Sequence, residues 1–304
     1  MRAINPELNQ KRMMTKVAHL YHSRGMVQTE IAKVLGLSQA RVSRLLTAAA
    51  EANIIRTVVM PPQGLFADLE AELENAFGLL EVHLVDPASD SAQDLHDGLG
   101  RTLASSFQIS PIDGKTVGLS LSNQMLDSFV GCLEDFPHAK AQAVIQLCGA
   151  IGSPVSKHDL DVATDRLARL TSSSAIYLRS PALTPSVNVR SAFAENDLGT
   201  RDALAAMDRL DVAIFEIASG GELGAAGVIN LRLIDESGRS IQSDRDALLI
   251  AATLEQIGKA SRRIGVGGGT ANHQAVLATV LGGLANVLIT DFDTAEFLLE
   301  HKPN

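Results

Sequence analysis

Apolar positions between residues 28 and 49 repeat at helical spacing in two short runs separated by a glycine. In QTEIAKVLGLSQARVSRLL (28–46) the first run groups Ile31, Ala32, Val34 and Leu35, with small Ala32 where a second helix crosses closely. Gly36 supplies the turn, Leu37 is buried by its place in it, and Ser38 is a good N-cap for the amide of Ala40 or Arg41. The second run starts at Gln39 and sets Val42, Leu45, Leu46 and Ala49 on one inward stripe. Ser38, Gln39, Ala40, Ser43 and Arg44 are left outward, with Arg41 on the flank. A preceding helix from about Met13 to Ser23, with Met14, Val17, Ala18 and Tyr21 inward, completes a three-helix head. Ile54 to Met60 alternates like a short strand, and Pro61, Pro62 and Gly64 end it.

A stripe from Leu65 through Leu69, Leu73 and Ala76 to Phe77 predicts a linker helix with a short coiled-coil-like seam, set between subunits or on the chain's own body. Beyond it, apolar strands alternate with helices. Residues 79–85, 116–121, 143–148, 175–178, 212–217, 263–266 and 287–289 read as strands. Residues 92–107, 123–132, 159–171, 200–207, 244–258 and 271–281 read as helices. This alternation predicts an α/β domain with a mostly parallel sheet and helices on both faces. The expected division is a helix-turn-helix head over 1–63 and a linker helix plus α/β domain over 64–304.

Charge sharpens the reading of the head. Residues 1–63 hold 9 lysines and arginines against 3 carboxylates, whereas the whole chain of 304 residues has a net charge of −9. A basic head on an acidic body suits attraction to phosphates without indiscriminate binding. With no Trp, and only Tyr21 and Phe66 aromatic near the head, stacking on single strands is disfavoured and duplex groove reading is expected. Gln39 and Arg44 offer two-pronged hydrogen bonding to adenine and guanine, Ser43 shares their face, and Ser38, Arg41 and Gln28 suit phosphate contacts.

The remaining composition is that of a folded protein with a substantial core. Cys132 and Cys148 match no metal spacing and are expected as reduced, buried thiols. The opening MRAINPELNQKRMM lacks the apolar core of a signal peptide, and no apolar run approaches membrane-spanning length, so a cytoplasmic location is expected. The histidines show no convincing metal spacing, and neither metal nor cofactor is expected.

In a parallel α/β sheet, ligands sit where strands end. The loops 120–124, 149–153, 218–221 and 267–273 are therefore the candidates. The glycine run 265–269 lacks GxGxxG spacing and reads as a tight turn permitting close approach of a ligand. Asp291 and Asp293 resemble paired catalytic carboxylates, but a capping role, with Asp293 or Thr294 opening a helix, fits better. His273 is placed either to bond a ligand or to cap a helix start.

VGLSLSNQM (117–125), IQLCGAIG (145–152), DVAIFEIAS (211–219) and the segment from Arg263 to Leu299, together with the head, resemble the SorC family of sugar-responsive transcriptional regulators. The resemblance covers nearly the whole chain. It implies an effector domain related to sugar-phosphate isomerases and glucosamine-phosphate deaminases, used as a sensor, in dimers or tetramers whose DNA affinity answers to a sugar or sugar phosphate. It further implies an effector site drawn from Ser120, Ser122, Asn123, Gln124, Gly149, Asp161, Glu216, Gly268, Asn272 and His273.

Four positions depart from the family pattern. Asn272 stands where phosphate-sensing relatives have lysine, Gln124 where threonine is common, Glu216 where glycine is usual, and Asp161 where asparagine is expected. One cation fewer and two carboxylates more favour a neutral sugar or polyol over a sugar phosphate. The anionic alternative would draw on Lys157, Arg166, Arg179 or Arg190. The expected function is a DNA-binding regulator, most simply a repressor, of a carbohydrate or polyol operon. The competing reading is an isomerase or deaminase with a DNA-binding head, for which only Glu216 and His273 can be nominated as acid and base and no catalytic motif is found.

Overall fold

The computed structural model describes residues 6–52, 54–55, 66–87, 89, 91–134, 140–150, 154–221 and 224–303, the side chains of 6–8, 123 and 154–159 excepted. The chain divides into two units, 1–61 and 62–304.

In the first unit, α1 (Pro6–Ala18) runs into a single π turn at His19–Ser23, followed by α2 (Gln28–Leu35) and α3 (Gln39–Glu51). Val17, Ile31, Ala32 and Val42 form its core, and Met14, Ala18 and Ala49 a second cluster. Gly36 takes the left-handed conformation (φ 63°) that closes α2, so the turn needs a residue without a Cβ. Two expectations fail here. The π turn shifts the helical phase after Ala18, so Leu20 packs inward and Tyr21 stays exposed. Val34 is 64% exposed, because the inward stripe of this eight-residue helix is filled by Ile31, Ala32 and Leu35. Ile54 and Ile55 pack against the second cluster, and the rest of the expected strand lies outside the described residues.

The second unit opens with α4 (Ala67–Phe77). It continues through β1 (Glu81–Val85), α5 (Ala92–Gln108), β2 (Thr116–Ser120), α6 (Asn123–Cys132), β3 (Ala143–Gln146), α7 (Pro154–Leu170) and β4 (Ser174–Ile176). Then come α8 (Val187–Asn196), α9 (Leu198–Met207), β5 (Val212–Ser219), β6 (Gly227–Ile229), β7 (Arg232–Ile234) and α10 (Leu254–Lys259). The last elements are β8 (Arg262–Val266), α11 (His273–Leu281), β9 (Val287–Asp291) and α12 (Phe292–Glu300).

The sheet order β1-β9-β8-β5-β2-β3-β4 is parallel throughout, and β6 and β7 extend β5 as an antiparallel hairpin. All seven expected strands are present. Alternate strand residues feed two cores, as a sheet buried on both faces requires. Phe215 and Ile217 point to the face covered by α4 and α9–α12, and Val212 and Ile214 to the face covered by α5–α7. The stripe of α4 belongs to the first core, with Leu73 fully buried and Leu69 and Phe77 packed around it. The seam therefore packs on the chain's own body.

From β2 the chain proceeds to β3 by α6 on one face, whereas from β5 it proceeds to β8 by α10 on the other. Adjacent β2 and β5 thus leave in opposite directions. Their C-terminal ends flank the topological switch point, where open α/β sheets form a ligand crevice.

Several local expectations change. Residues 244–258 are not one helix: a 3-10 turn at Asp244–Leu248 gives way to buried, extended residues 249–252 before α10. These residues pair with other strands, Gly149 donating to the Ile250 carbonyl and Ala252 to that of Leu147, which a helix would forbid. Asp291, not Asp293 or Thr294, caps α12, accepting the Thr294 amide at 3.0 Å. Cys148 is buried, but Cys132, in the last turn of α6, is exposed. Among the described residues no helix is long and apolar enough to cross a membrane.

Candidate DNA-reading face and effector crevice

The head presents α3 as an outward rod. Ser38 Oγ accepts the Arg41 amide at 3.3 Å and fixes the start of the helix, while Gln39, Ala40, Arg41, Ser43 and Arg44 are all exposed. At about 100° per residue, Ala40, Arg44 and Thr47 lie opposite the buried Val42–Ala49 stripe, so Arg44 is central to the outer face. Gln28 begins α2 and is half-buried. A groove of about 690 Å³ between α1 and α3 is lined by Asn9, Gln10, Met13, Arg41, Arg44, Leu45 and Ala48. Sequence reasoning missed Asn9, Gln10 and Thr47. The first two lie in a helical turn that begins before the apolar periodicity does.

In the second unit, Ser120 ends β2 and Ser122 is the N-cap of α6; Gln124 is half-buried in its first turn, and the Asn123 side chain is outside the described set. Glu216, on β5, points to the α5–α6 face. Its carboxylate accepts the Ser122 amide at 2.6 Å, a bond that spans the β2/β5 switch point. His96 Nε2 of α5 stands 3.9 Å from the other carboxylate oxygen. His96 was not anticipated, because nothing local in α5 signals its approach to a strand 120 residues away. Ser120 Oγ lies 3.9 Å from Cys148 Sγ, and burial pushes that thiol up to about 11, so Ser120 faces a neutral neighbour.

The glycine loop after β8 is pinned from two sides. Asp291, buried at the end of β9, accepts the Gly269 amide at 2.6 Å. Asn272 donates to the Gly268 carbonyl and accepts the Ser219 amide, both at 2.8 Å, so both ends of its amide hold backbone. A Cβ on Gly149 would stand 2.4 Å from the Ser180 carbonyl oxygen, so this loop too requires glycine.

Two other expected residues are engaged elsewhere. Asp161 on α7 accepts from the buried Gln146 amide at 2.8 Å, and Gln146 in turn accepts the Leu178 amide. His273 stacks on Phe297 of α12 at 4.6 Å. The structure therefore brings Ser122 to Glu216 and Asn272 to Gly268, and does not pair Glu216 with His273. Of the cations an anionic ligand would draw on, Arg190 donates to the Leu249 carbonyl, Arg179 lies over the Tyr177 ring, and Arg166 is exposed; the Lys157 side chain lies outside the described residues.

A polar cavity of about 720 Å³ lies beyond β5, between the β6–β7 hairpin and the start of α11, with Ser219, Asp235, Glu236, Ser237 and Gln274 among its walls. The hairpin that forms it was not expected from sequence. Among the described residues no group of three or more His, Cys, Asp or Glu side chains is arranged to hold a metal ion.

Comparison with known proteins agrees with this architecture. A sugar-binding domain family model matches residues 62–222 and 216–300. The deoxyribonucleoside regulator of Bacillus subtilis is 28% identical over 313 residues, covering 95% of this chain and 97% of its own. The transcriptional regulator YjhU of Escherichia coli is 27% identical over 314 residues, 92% of each chain. The full-length sorbitol operon regulator SorC from Klebsiella pneumoniae superposes with a TM-score of 0.68 at 23% identity, over 95% of this chain and 98% of that one. With the family model spanning most of the larger unit and regulators aligning along nearly the whole length, this chain belongs to the SorC-type family of sugar-binding transcriptional regulators.

Proposed function

We propose that the protein is a sequence-specific, duplex-DNA-binding repressor of a carbohydrate or polyol operon, relieved by a neutral sugar or polyol. The head reads DNA through Gln39, Ser43 and Arg44, with Gln28, Ser38 and Arg41 on phosphates. A homodimer or homotetramer in the cytoplasm would set two heads against half-sites about 34 Å apart. The effector occupies the crevice at the β2/β5 switch point, bordered by Ser120, Ser122, Asn123, Gln124, Gly149 and Glu216, with Gly268, Asn272, Asp161 and His273 shaping the loops around it.

The observation that carries the neutral ligand is the position of Glu216, a carboxylate at the mouth of the crevice with no lysine or arginine bonded to it among the described residues. Carboxylate and amide acceptors suit sugar hydroxyls, whereas a phosphate dianion meets like charge. A non-catalytic role is favoured because the one nominated acid–base pair is not assembled: His273 stacks on Phe297 and Glu216 faces α6.

The test is a thermal-shift series on the full chain with matched sugars, polyols and their phosphates. A ligand at a hundred times its Kd adds about 2.7 kcal/mol, roughly 5–10 °C for a domain of this size. A shift with free sugars or polyols supports the reading, and a shift confined to phosphates overturns it.

A further inference from the structure

The start of α6 combines three features that bear on which ligands the crevice accepts. It lies at the switch point, where the ends of β2 and β5 diverge. The N-cap Ser122 makes no capping bond with its own hydroxyl. A carboxylate from another element, Glu216 of β5, accepts the amide of this N-cap residue at 2.6 Å. The positive end of a ten-residue helix attracts anions, and here the protein's own anion is already seated there.

We propose that Glu216 is a specificity-determining residue acting as a resident anion: its negative charge stands where a phosphate or carboxylate of a ligand would come, and excludes such ligands by charge. This rests on the reading of the crevice as the effector site. Among the described residues, two groups face Glu216 from the packed elements, the Ser122 amide of α6 and the His96 imidazole of α5. With the carboxylate held by the amide on one oxygen, the other oxygen and His96 Nε2, whose ring donates through Nδ1 to the Ala92 carbonyl, both partly exposed, supply acceptors to the hydroxyls of an uncharged ligand. The same carboxylate thus admits one ligand class and rejects the other.

Inorganic phosphate is the probe. Full-length wild type and E216Q, which keeps the side chain's shape without its charge, are titrated with phosphate at neutral pH and constant ionic strength. Melting temperature and phosphorus NMR line width are followed. The expected result is no response in wild type and a saturable response in E216Q, with affinity raised at least about tenfold. Should E216Q fail to fold, E216G makes the same comparison, with the position vacated. A folded variant indifferent to phosphate overturns the role of Glu216 while leaving the neutral-effector reading standing. Saturable phosphate binding by wild type overturns both.

Discussion

Asp291 holds Gly269 through a 2.6 Å bond from the Gly269 amide to Oδ2, and the same oxygen accepts the Thr294 hydroxyl at 2.7 Å. One buried carboxylate thus joins the glycine loop after β8 to the start of α12. The close packing behind this bond leaves no space at Gly268, where a Cβ would lie 2.0 Å from that oxygen. Gly268→Ala is expected to cost about 1–3 kcal/mol, because either the loop or the carboxylate must move and a buried hydrogen bond weakens. Chemical denaturation of the full chain measures it. Wild-type stability would mean that the loop yields freely and that Asp291 does not fix it.

Edge strand β1 is closed by α4. Glu74 Oε1 accepts the Val82 amide and Glu70 Oε1 the Leu84 amide, each at 2.9 Å, so two carboxylates one helical turn apart block what would otherwise be an open pairing edge. The pair E70A/E74A is expected to lose about 0.5–1.5 kcal/mol per bond and to release Val82 and Leu84 to fast hydrogen exchange. Gln at both positions keeps an acceptor oxygen and should lose less. Unchanged protection of the two amides in the double Ala variant would refute the latch.

Glu81 and the buried Arg262 form a two-pronged ion pair at 2.7 and 2.6 Å, tying β1 to β8 across β9. Hydrogen bonding from Arg262 holds the Glu81 carboxyl below its ordinary value, outweighing the opposing effect of burial. A depressed folded-state value stabilises the protein at all pH above the ordinary glutamate range, and this contribution is lost as pH falls through the folded value. Glu81→Gln is therefore expected to flatten the loss of stability as pH falls through and below the ordinary glutamate range. Parallel stability profiles for variant and wild type would show that the pair makes no net contribution.

The parts of this fold that sequence made legible are those with a local signal. The seven parallel strands are runs of three to eight residues, most of them apolar, and the head carries both a helical stripe and a glycine turn. The β6–β7 hairpin was invisible for a local reason: its two-residue turn is Asn230-Leu231, with φ of 48° and 67°, and a leucine in the left-handed region carries no turn signal where glycine would. Asn230 is held there by donating to the Leu147 and Ala252 carbonyls, contacts far away in sequence. The crevice divides in the same way. Ser122 and Glu216 are legible as residues at strand ends, but their bond, and the approach of His96, depend on strand order. The turning of His273 onto Phe297 depends likewise on how α11 meets α12.

Arg44 offers the sharpest test of the head because its position makes two roles separable. It lies opposite the buried stripe of α3, with Ala40 and Thr47 one turn to either side, and so leads the helix into any groove that α3 enters. It also borders the groove shared with Asn9 and Gln10 of α1, where a phosphate contact would be equally natural. If it reads guanine, Arg44→Ala costs about 1–3 kcal/mol on the preferred site and relaxes the preference at one base pair, while affinity for unrelated duplexes changes little. If it contacts phosphate, affinity falls nearly equally for all sequences and the salt dependence of binding loses about one ion. Selection of preferred sites from a random duplex pool with wild type and variant, followed by salt titration on the winning sequence, separates the two. The exposed face predicts the first outcome, since the phosphate-directed positions, Ser38 and Arg41, sit nearer the helix start and its flank.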